Sequence, residues 1–156
     1  MNTATGEVDL LASTPGTYTV TNTITASGGC APASATASIT IDPLQNAGFN
    51  YSASTFCATG TNPNPTITGV TGGTFSASPA GLVFVSSTTG EINLAGSSLN
   101  TYTITYTTPG PCTNTSTASV TITNSPVATF SFTGSPYCQS AANPSPTFSG
   151  GGTAGT

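Results

Sequence analysis

The sequence predicts an all-β protein built from antiparallel β-sandwich units in tandem. In Thr17–Thr25 and Thr101–Thr107 every second residue is threonine and the residues between them are largely apolar. This two-residue period is typical of half-buried antiparallel strands. The two segments are related copies, and Cys57 and Cys138 likewise stand 81 positions apart (138 − 57) in matching sequences. A period of about 80 residues has the size of a domain, not of a solenoid turn.

Two long strands are expected in the N-terminal part of the chain. The first is Thr17–Thr25, in which Tyr18 and Val20 share one face and the threonines share the other. Ser27–Gly29 interrupts the pattern as a hairpin turn does. A second alternating segment follows and ends at Ile41.

The middle of the chain repeats this strand pair and places shorter strands before it. Thr101–Thr107 and Ala118–Ile122 are the copies, and Pro109–Pro111 is the turn between them. The shorter strands are expected at Phe49–Tyr51, Thr66–Gly69, Gly73–Phe75, Leu82–Val85 and Glu91–Leu94. Turns spaced by roughly 8–12 residues predict a seven-strand sandwich of Greek-key type. The expected core consists of Phe49, Tyr51, Leu82, Phe84, Tyr102, Ile104, Tyr106, Val120 and Ile122.

Proline-bearing segments at Asp42–Asn46 and Thr123–Val127 predict the unit boundaries. Residues 1–43 would be the C-terminal half of one repeat, 44–124 a complete repeat, and 125–156 the N-terminal half of the next. Together the two halves lack only the counterpart of Phe75–Phe84. A half sandwich exposes an apolar face and open strand edges, so something must complete it. Either the sequence is a segment of a longer tandem chain, or the halves of neighbouring molecules complete one another end to end.

The composition excludes several function classes. The chain contains no Lys, Arg or His, and its only acids are Glu7, Asp9, Asp42 and Glu91. Without basic residues, nucleic acid and anionic membranes are not expected partners, and no apolar run approaches the roughly 20 residues of a membrane span. The carboxylate pair of Glu7 and Asp9 becomes Glu91 and Asn93 in the second copy, so it predicts no hydrolase. We expect no enzyme activity, metal or cofactor.

Two sequons are candidate sites of N-glycosylation, although such triplets also arise by chance in a chain so rich in threonine. They are Asn50-Tyr51-Ser52 and Asn114-Thr115-Ser116. Asn50 should point outward because Phe49 and Tyr51 take the core face, and Asn114 lies beside a turn. Both side chains are therefore expected to be accessible. Glycans on the outward-facing threonines would also help so uncharged a protein to stay soluble.

The segment Ser78–Thr108 resembles the immunoglobulin-like and cadherin-like (PKD-like) repeats of large secreted bacterial adhesins and surface fibres. Its P-x-G-L, T-G-x-I and Y-T-I-T motifs follow in the order found there. The sequences at Tyr137–Pro146 and Cys112–Ile122 extend the resemblance over the whole chain. The resemblance implies an extracellular immunoglobulin-like fold in a tandem array. It implies no ligand, and it carries no catalytic residue onto this sequence.

The four cysteines recur at matched positions, which favours disulfides in an oxidising, extracellular setting. The simplest bridge is Cys57–Cys112 within the complete repeat; it would close a loop of about 55 residues and contribute roughly 4 kcal/mol. Cys30 and Cys138 would then find partners in the adjoining half repeats. An immunoglobulin-like path would instead put the turns of Cys57 and Cys112 at opposite ends of the sandwich. Bridges would then join successive repeats.

The expected function is structural. The chain would be part of an extracellular or cell-surface filament or adhesin stalk, with further copies of the same repeat as its partners. The alternative is a carbohydrate-binding or surface-binding adhesin module. A third class, an accessory domain of a secreted enzyme, would require a catalytic domain elsewhere in the parent chain.

Overall fold

The computed structural model describes residues 1–152 and 154, and the all-β prediction is confirmed. Its ten strands are β1 (Gly16–Ile24), β2 (Ala33–Ile41), β3 (Phe49–Asn50), β4 (Thr55–Cys57), β5 (Thr66–Ile67), β6 (Thr74–Ser78), β7 (Thr101–Thr107), β8 (Thr115–Thr123), β9 (Phe130–Ser131) and β10 (Thr147–Phe148). In this described part of the chain, no helix has the length and apolarity needed to cross a membrane.

Each terminal part of the chain forms a two-stranded antiparallel sheet. In the N-terminal half (residues 1–43), β1 and β2 pair over nine positions, from Gly16 opposite Ile41 to Ile24 opposite Ala33. In the C-terminal half (residues 125–156), β9 and β10 pair over two positions. The alternating segments on either side of the Ser27–Gly29 turn therefore form the hairpin that the sequence predicts.

The central unit (residues 44–124) contains two sheets. One has four strands in the order β4-β8-β7-β6, and the other pairs β3 with β5. Strand β7 is antiparallel to both β6 and β8, whereas the edge strand β4 runs parallel to β8. The expected strands Leu82–Val85 and Glu91–Leu94 are reduced to a single bridge between Phe84 and Ile92. This arrangement is consistent with a β-sandwich, although it includes one parallel pairing that the alternation did not predict.

One apolar core lies between these elements. The Phe49 ring stands edge-on to Phe75 at 5.3 Å, and Phe75 in turn lies 4.6 Å from Tyr106. The first contact joins the two sheets, and the second joins paired strands of the four-stranded sheet. Aromatic contacts of this kind stabilise a core beyond the area they bury. The buried apolar residues are Ala47, Tyr51, Phe75, Ile92, Leu94, Tyr102, Ile104, Tyr106, Val120 and Ile122. Six of the nine predicted core residues are among them, and the other three, Phe49, Leu82 and Phe84, are half-buried and pack against the core.

Candidate functional site

The N-terminal half is a structural copy of the hairpin that closes the central unit. Tyr18 lies opposite Ile39 in β1–β2, as Tyr102 lies opposite Val120 in β7–β8. The phenol of Tyr18 donates a hydrogen bond of 2.7 Å to the carbonyl oxygen four residues before it, and the phenol of Tyr102 donates the same bond at 2.8 Å. The repeat therefore preserves strand register and side-chain hydrogen bonding as well as sequence.

The turn before this hairpin is also repeated. The Asp9 carboxylate accepts a hydrogen bond from the backbone N–H of Leu11 at 3.0 Å, and the Asn93 amide oxygen accepts one from Gly96 at 3.0 Å. An acidic or amide side chain that caps its own turn is a common structural feature. Asp9 therefore has a structural role, and among the described residues no three His, Cys, Asp or Glu side chains cluster in a way that could hold a metal.

The C-terminal half copies the other layer of the central unit. Phe130 lies opposite Phe148 in β9–β10, as Phe49 lies opposite Ile67 in β3–β5, and both members of each pair are 81 positions apart (130 − 49, 148 − 67). The Phe130 and Phe148 rings remain in contact, with centroids 6.3 Å apart. The C-terminal half therefore repeats the β3–β5 layer of the central unit, and its residues 136–138 repeat β4, the edge strand beside β8.

Equivalent side chains differ sharply in burial between the central unit and the halves. Tyr102 is fully buried, whereas Tyr18 is 39% exposed. Leu94 is 1% exposed, whereas its counterpart Leu10 is 63% exposed. Phe130 is also exposed, although Phe49 packs against the core. Each half thus presents, uncovered, an apolar face that the central unit keeps inside, and these two open faces are the candidate site.

The central unit shows what covers such a face. The layer that contains β3 and β5 contacts the layer that contains β7 and β8 through the Phe49 and Tyr106 rings, whose centroids are 6.0 Å apart. The Ser116 hydroxyl donates to the Ala47 carbonyl oxygen at 2.5 Å. The backbone N–H of Leu94 donates to the Asn62 amide oxygen at 3.0 Å. The layer that covers the equivalents of β1 and β2 is therefore the layer that the C-terminal half repeats.

In the N-terminal half the uncovered face forms a groove. Its floor is the apolar side of β1–β2, and its wall is the segment before β1. Its apolar lining includes Val8, Ala12, Tyr18, Val20, Ile39 and Ile41. The face of the C-terminal half, by contrast, presents aromatic rings.

The structure does not bring Cys57 and Cys112 together, so the preferred bridge within the central unit is incompatible with this fold. Cys57 ends β4 opposite Thr123, the last residue of β8, whereas Cys112 lies in the turn before β8 begins. The nine residues of β8 separate the two ends by roughly 25–30 Å at about 3.3 Å per residue. A disulfide requires Cα atoms within about 7 Å. All four cysteines are unpaired, Cys30 and Cys138 among them.

The two sequons differ in accessibility. Asn50 is exposed in β3. Asn114 is half-buried, and its amide nitrogen donates a hydrogen bond of 2.8 Å to the Gln45 carbonyl oxygen. The expectation that both are accessible therefore fails for Asn114, because the nitrogen that would carry the glycan is already engaged.

One ionisable side chain in the core has a perturbed pKa. Tyr51 lies in the core and its phenol donates a hydrogen bond of 2.5 Å to the Gly90 carbonyl oxygen. Burial disfavours the charged phenolate and raises the pKa of Tyr51 well above its ordinary value. The phenol therefore stays neutral over the ordinary pH range, and its ring packs in the core.

No protein-family model matches the chain, and comparison with curated proteins and with solved structures finds no similar protein. The resemblance to secreted adhesin repeats therefore stays a prediction.

Proposed function

We propose that the chain is a structural, non-catalytic component of an extracellular filament or adhesin stalk made of tandem sandwich units. The observation that carries the proposal is the contrast between Leu94, which is buried, and Leu10, which is exposed at the equivalent position. A face that is core in one copy of a repeat and open in another is an interface for the missing layer. In this chain the missing layer is a further piece of the same repeat.

Two features support an immunoglobulin-like Greek-key path for each unit. The edge strand β4 pairs in parallel with the last strand β8, so the chain enters the sheet beside the strand on which it leaves. The Tyr102 phenol, at the start of β7, bonds to the Ser98 carbonyl oxygen. This is the bond of the tyrosine corner in immunoglobulin-like sandwiches. On this path the units are residues 1–43, 44–124 and 125–156.

The partner is a second copy of the chain. The C-terminal half of one copy covers the N-terminal half of the next, because the central unit joins the same two layers within one chain. Asn143 is equivalent to Asn62 (143 − 62 = 81), so its amide would accept a hydrogen bond from Leu10 N–H. A contact that uses different surfaces on the two molecules does not close on itself, and it produces an open filament.

The alternative, a carbohydrate-binding or surface-binding module, lacks comparable support in the central unit. Sugar binding commonly uses exposed aromatic rings, and within residues 44–124, all of which the structure describes, no aromatic side chain is exposed. The exposed rings lie in the halves: Tyr18 in the N-terminal half, and Phe130, Phe132, Tyr137 and Phe148 in the C-terminal half. Their equivalents in the central unit face the core, which favours burial by another layer over ligand binding.

Electron microscopy of matched variants tests the proposal. Leu10 and Leu11 are adjacent and both exposed, but the equivalent of Leu10 is buried and that of Leu11, Ala95, is exposed. In negative stain, the native chain should form fibres with an axial repeat of roughly 30–40 Å per unit, from strands of nine or ten residues. Leu10→Asp should abolish the fibres, because it places a carboxylate in the buried layer.

Leu11→Asp is the matched control and should leave the fibres intact, because this position stays in solvent. Loss of fibres in both variants would indicate a general effect of added charge. A native chain that remains monomeric at high concentration would contradict self-completion by a second copy.

A further inference from the structure

We infer that disulfides between successive units fasten the filament, joining Cys112 of one copy to Cys138 of the next and Cys30 of the first to Cys57 of the next. The inference rests on the proposed function, since the partner cysteine is supplied by the second copy that completes the N-terminal half. It replaces the bridge within the unit, which the length of β8 rules out.

Cys112 lies at the boundary between the N-terminal half and the central unit. Its Sγ is 4.0 Å from the carbonyl oxygen of Asp42, the residue that directly follows β2. The same turn is held to the boundary segment by the hydrogen bond from the Asn114 amide to Gln45. Cys112 thus belongs to the central unit but faces the last strand of the unit before it.

Cys57 marks the opposite end of the central unit. It is the parallel partner of Thr123, and the next residue, Ala58, donates a backbone hydrogen bond of 2.9 Å to the Thr123 carbonyl oxygen. Paired strands lie about 4.8 Å apart. A cysteine at this position therefore stands directly beside the residue on which its unit ends.

The repeat brings these two kinds of cysteine to one place. Cys138 is equivalent to Cys57, and Asp42 is equivalent to Thr123 (both offsets are 81). In an N-terminal half completed by a second copy, Cys138 of that copy therefore lies beside Asp42. Cys112 of the first copy already lies against Asp42. Both cysteines thus lie beside the same residue, and such proximity is what a disulfide requires.

The same construction applies at the other boundary. Cys57 of the second copy stands beside Thr123, where its central unit ends. Cys30 of the first copy occupies the turn between β1 and β2, which corresponds to the turn of Cys112 between β7 and β8. Each contact between two copies would thus carry two disulfides, one at each end of the completed unit. Each proposed pair joins an exposed cysteine of a half, Cys30 or Cys138, to a half-buried cysteine of the central unit.

The oxidant is a small-molecule disulfide of the glutathione class. The Cys112 thiolate attacks one sulfur of the oxidant and releases one small thiol, which leaves a mixed disulfide on Cys112. The Cys138 thiolate of the next copy then attacks the Cys112 sulfur and releases the second small thiol. Two protein thiols are oxidised by two electrons in total, and the oxidant carries those electrons and the two protons away as two thiols.

The test compares double variants that each keep two cysteines. Each chain is incubated with oxidised glutathione and run on a non-reducing gel. Cys30→Ser/Cys57→Ser keeps the predicted pair Cys112 and Cys138 and should give a ladder of cross-linked multimers. Cys30→Ser/Cys112→Ser keeps Cys57 and Cys138, which are not predicted partners, and should give no ladder.

Peptide mapping of the native chain identifies the pairs. Trypsin has no site in a chain without Lys or Arg, so pepsin digestion at low pH is used, which also suppresses disulfide exchange. The expected linked peptides are Cys112–Cys138 and Cys30–Cys57. A Cys57–Cys112 peptide, or fibres in negative stain without cross-links, would overturn the inference and leave the filament proposal standing. Monomers in both assays would overturn the two together.

Discussion

Leu94 and Leu10 occupy equivalent positions, so replacing each by alanine measures how much the covering layer contributes. Leu94 is 1% exposed, and removing a buried leucine side chain costs about 2–5 kcal/mol of unfolding free energy. Leu10 is 63% exposed, so Leu10→Ala should change the stability of the isolated chain by about 0.5 kcal/mol or less. The two exposures differ by 62 percentage points (63 − 1). At about 1.5–3 kcal/mol for a fully buried leucine, covering Leu10 is worth about 1–2 kcal/mol.

The free energy of covering Leu10 should be gained when the chain assembles. Leu10→Ala is expected to weaken association about 5-fold to 30-fold, the equivalent of about 1–2 kcal/mol, whereas Leu94→Ala acts on folding. Urea unfolding followed by tyrosine fluorescence, at a concentration too low for assembly, measures the stability changes caused by Leu94→Ala and Leu10→Ala. Sedimentation of the Leu10 variant and the native chain measures the change in association. Equal destabilisation of the isolated chain by both substitutions, or unchanged association of the Leu10 variant, would refute the equivalence of the two positions.

Three further predictions concern the central unit and its surface. Burial raises the pKa of Tyr51, so the unfolded chain releases the phenolic proton at a lower pH than the folded chain. The stabilising contribution of Tyr51 should therefore be complete below about pH 10 and be lost as pH rises further. The urea midpoint of the native chain should fall above about pH 10, and that of Tyr51→Phe should fall less. Gly90→Ala should lower the urea midpoint more than Gly6→Ala. Both glycines have positive φ, but an added Cβ at Gly90 would meet a phenylalanine ring at 2.8 Å, whereas one at Gly6 would meet no atom within 4 Å. Equal effects of the two substitutions would refute the clash. N-glycan is expected on Asn50 and not on Asn114; intact mass should fall by one glycan in Asn50→Gln, and an unmodified native mass would contradict this.

Local sequence pattern predicted the elements whose partners are close in the chain. The hairpins β1–β2 and β7–β8 follow from alternation on both sides of a turn, and the turns fall where glycine and proline interrupt it. The repeat also indicated which side chains of the two halves correspond to core positions of the central unit. Tyr18 and Leu10 are the counterparts of the buried Tyr102 and Leu94.

The structural features that the sequence did not predict depend on contacts between residues that are distant along the chain. Strand β4 has only three residues and gains its place from parallel pairing with β8, more than 60 positions away, so no local period indicates it. Ile92 and Leu94 are buried although their segment forms no regular strand. Their backbone N–H groups donate hydrogen bonds to the Pro63 carbonyl oxygen and the Asn62 amide oxygen, about 30 positions earlier in the chain. The bridge Cys57–Cys112 failed for a related reason. Sequence spacing sets the loop length, but only the path of β8 shows that its ends are too far apart.

The composition limits how such a chain can recognise itself. No side chain is positively charged, so contacts between copies in the proposed filament would contain no ion pairs between side chains, and the four carboxylates could only repel one another. Specificity would then come from burial of apolar faces, strand register and hydrogen bonds between neutral groups, of the kind that the Thr101 and Thr121 hydroxyls form at 2.9 Å between β7 and β8 of one chain. Burial of apolar area is non-directional and does not by itself fix how two faces align. Strand register does fix the alignment, because a one-residue slip would turn every inward side chain outward. The proposed filament would thus be specific without charge, and covalent links at the unit boundaries would make it resistant to dissociation.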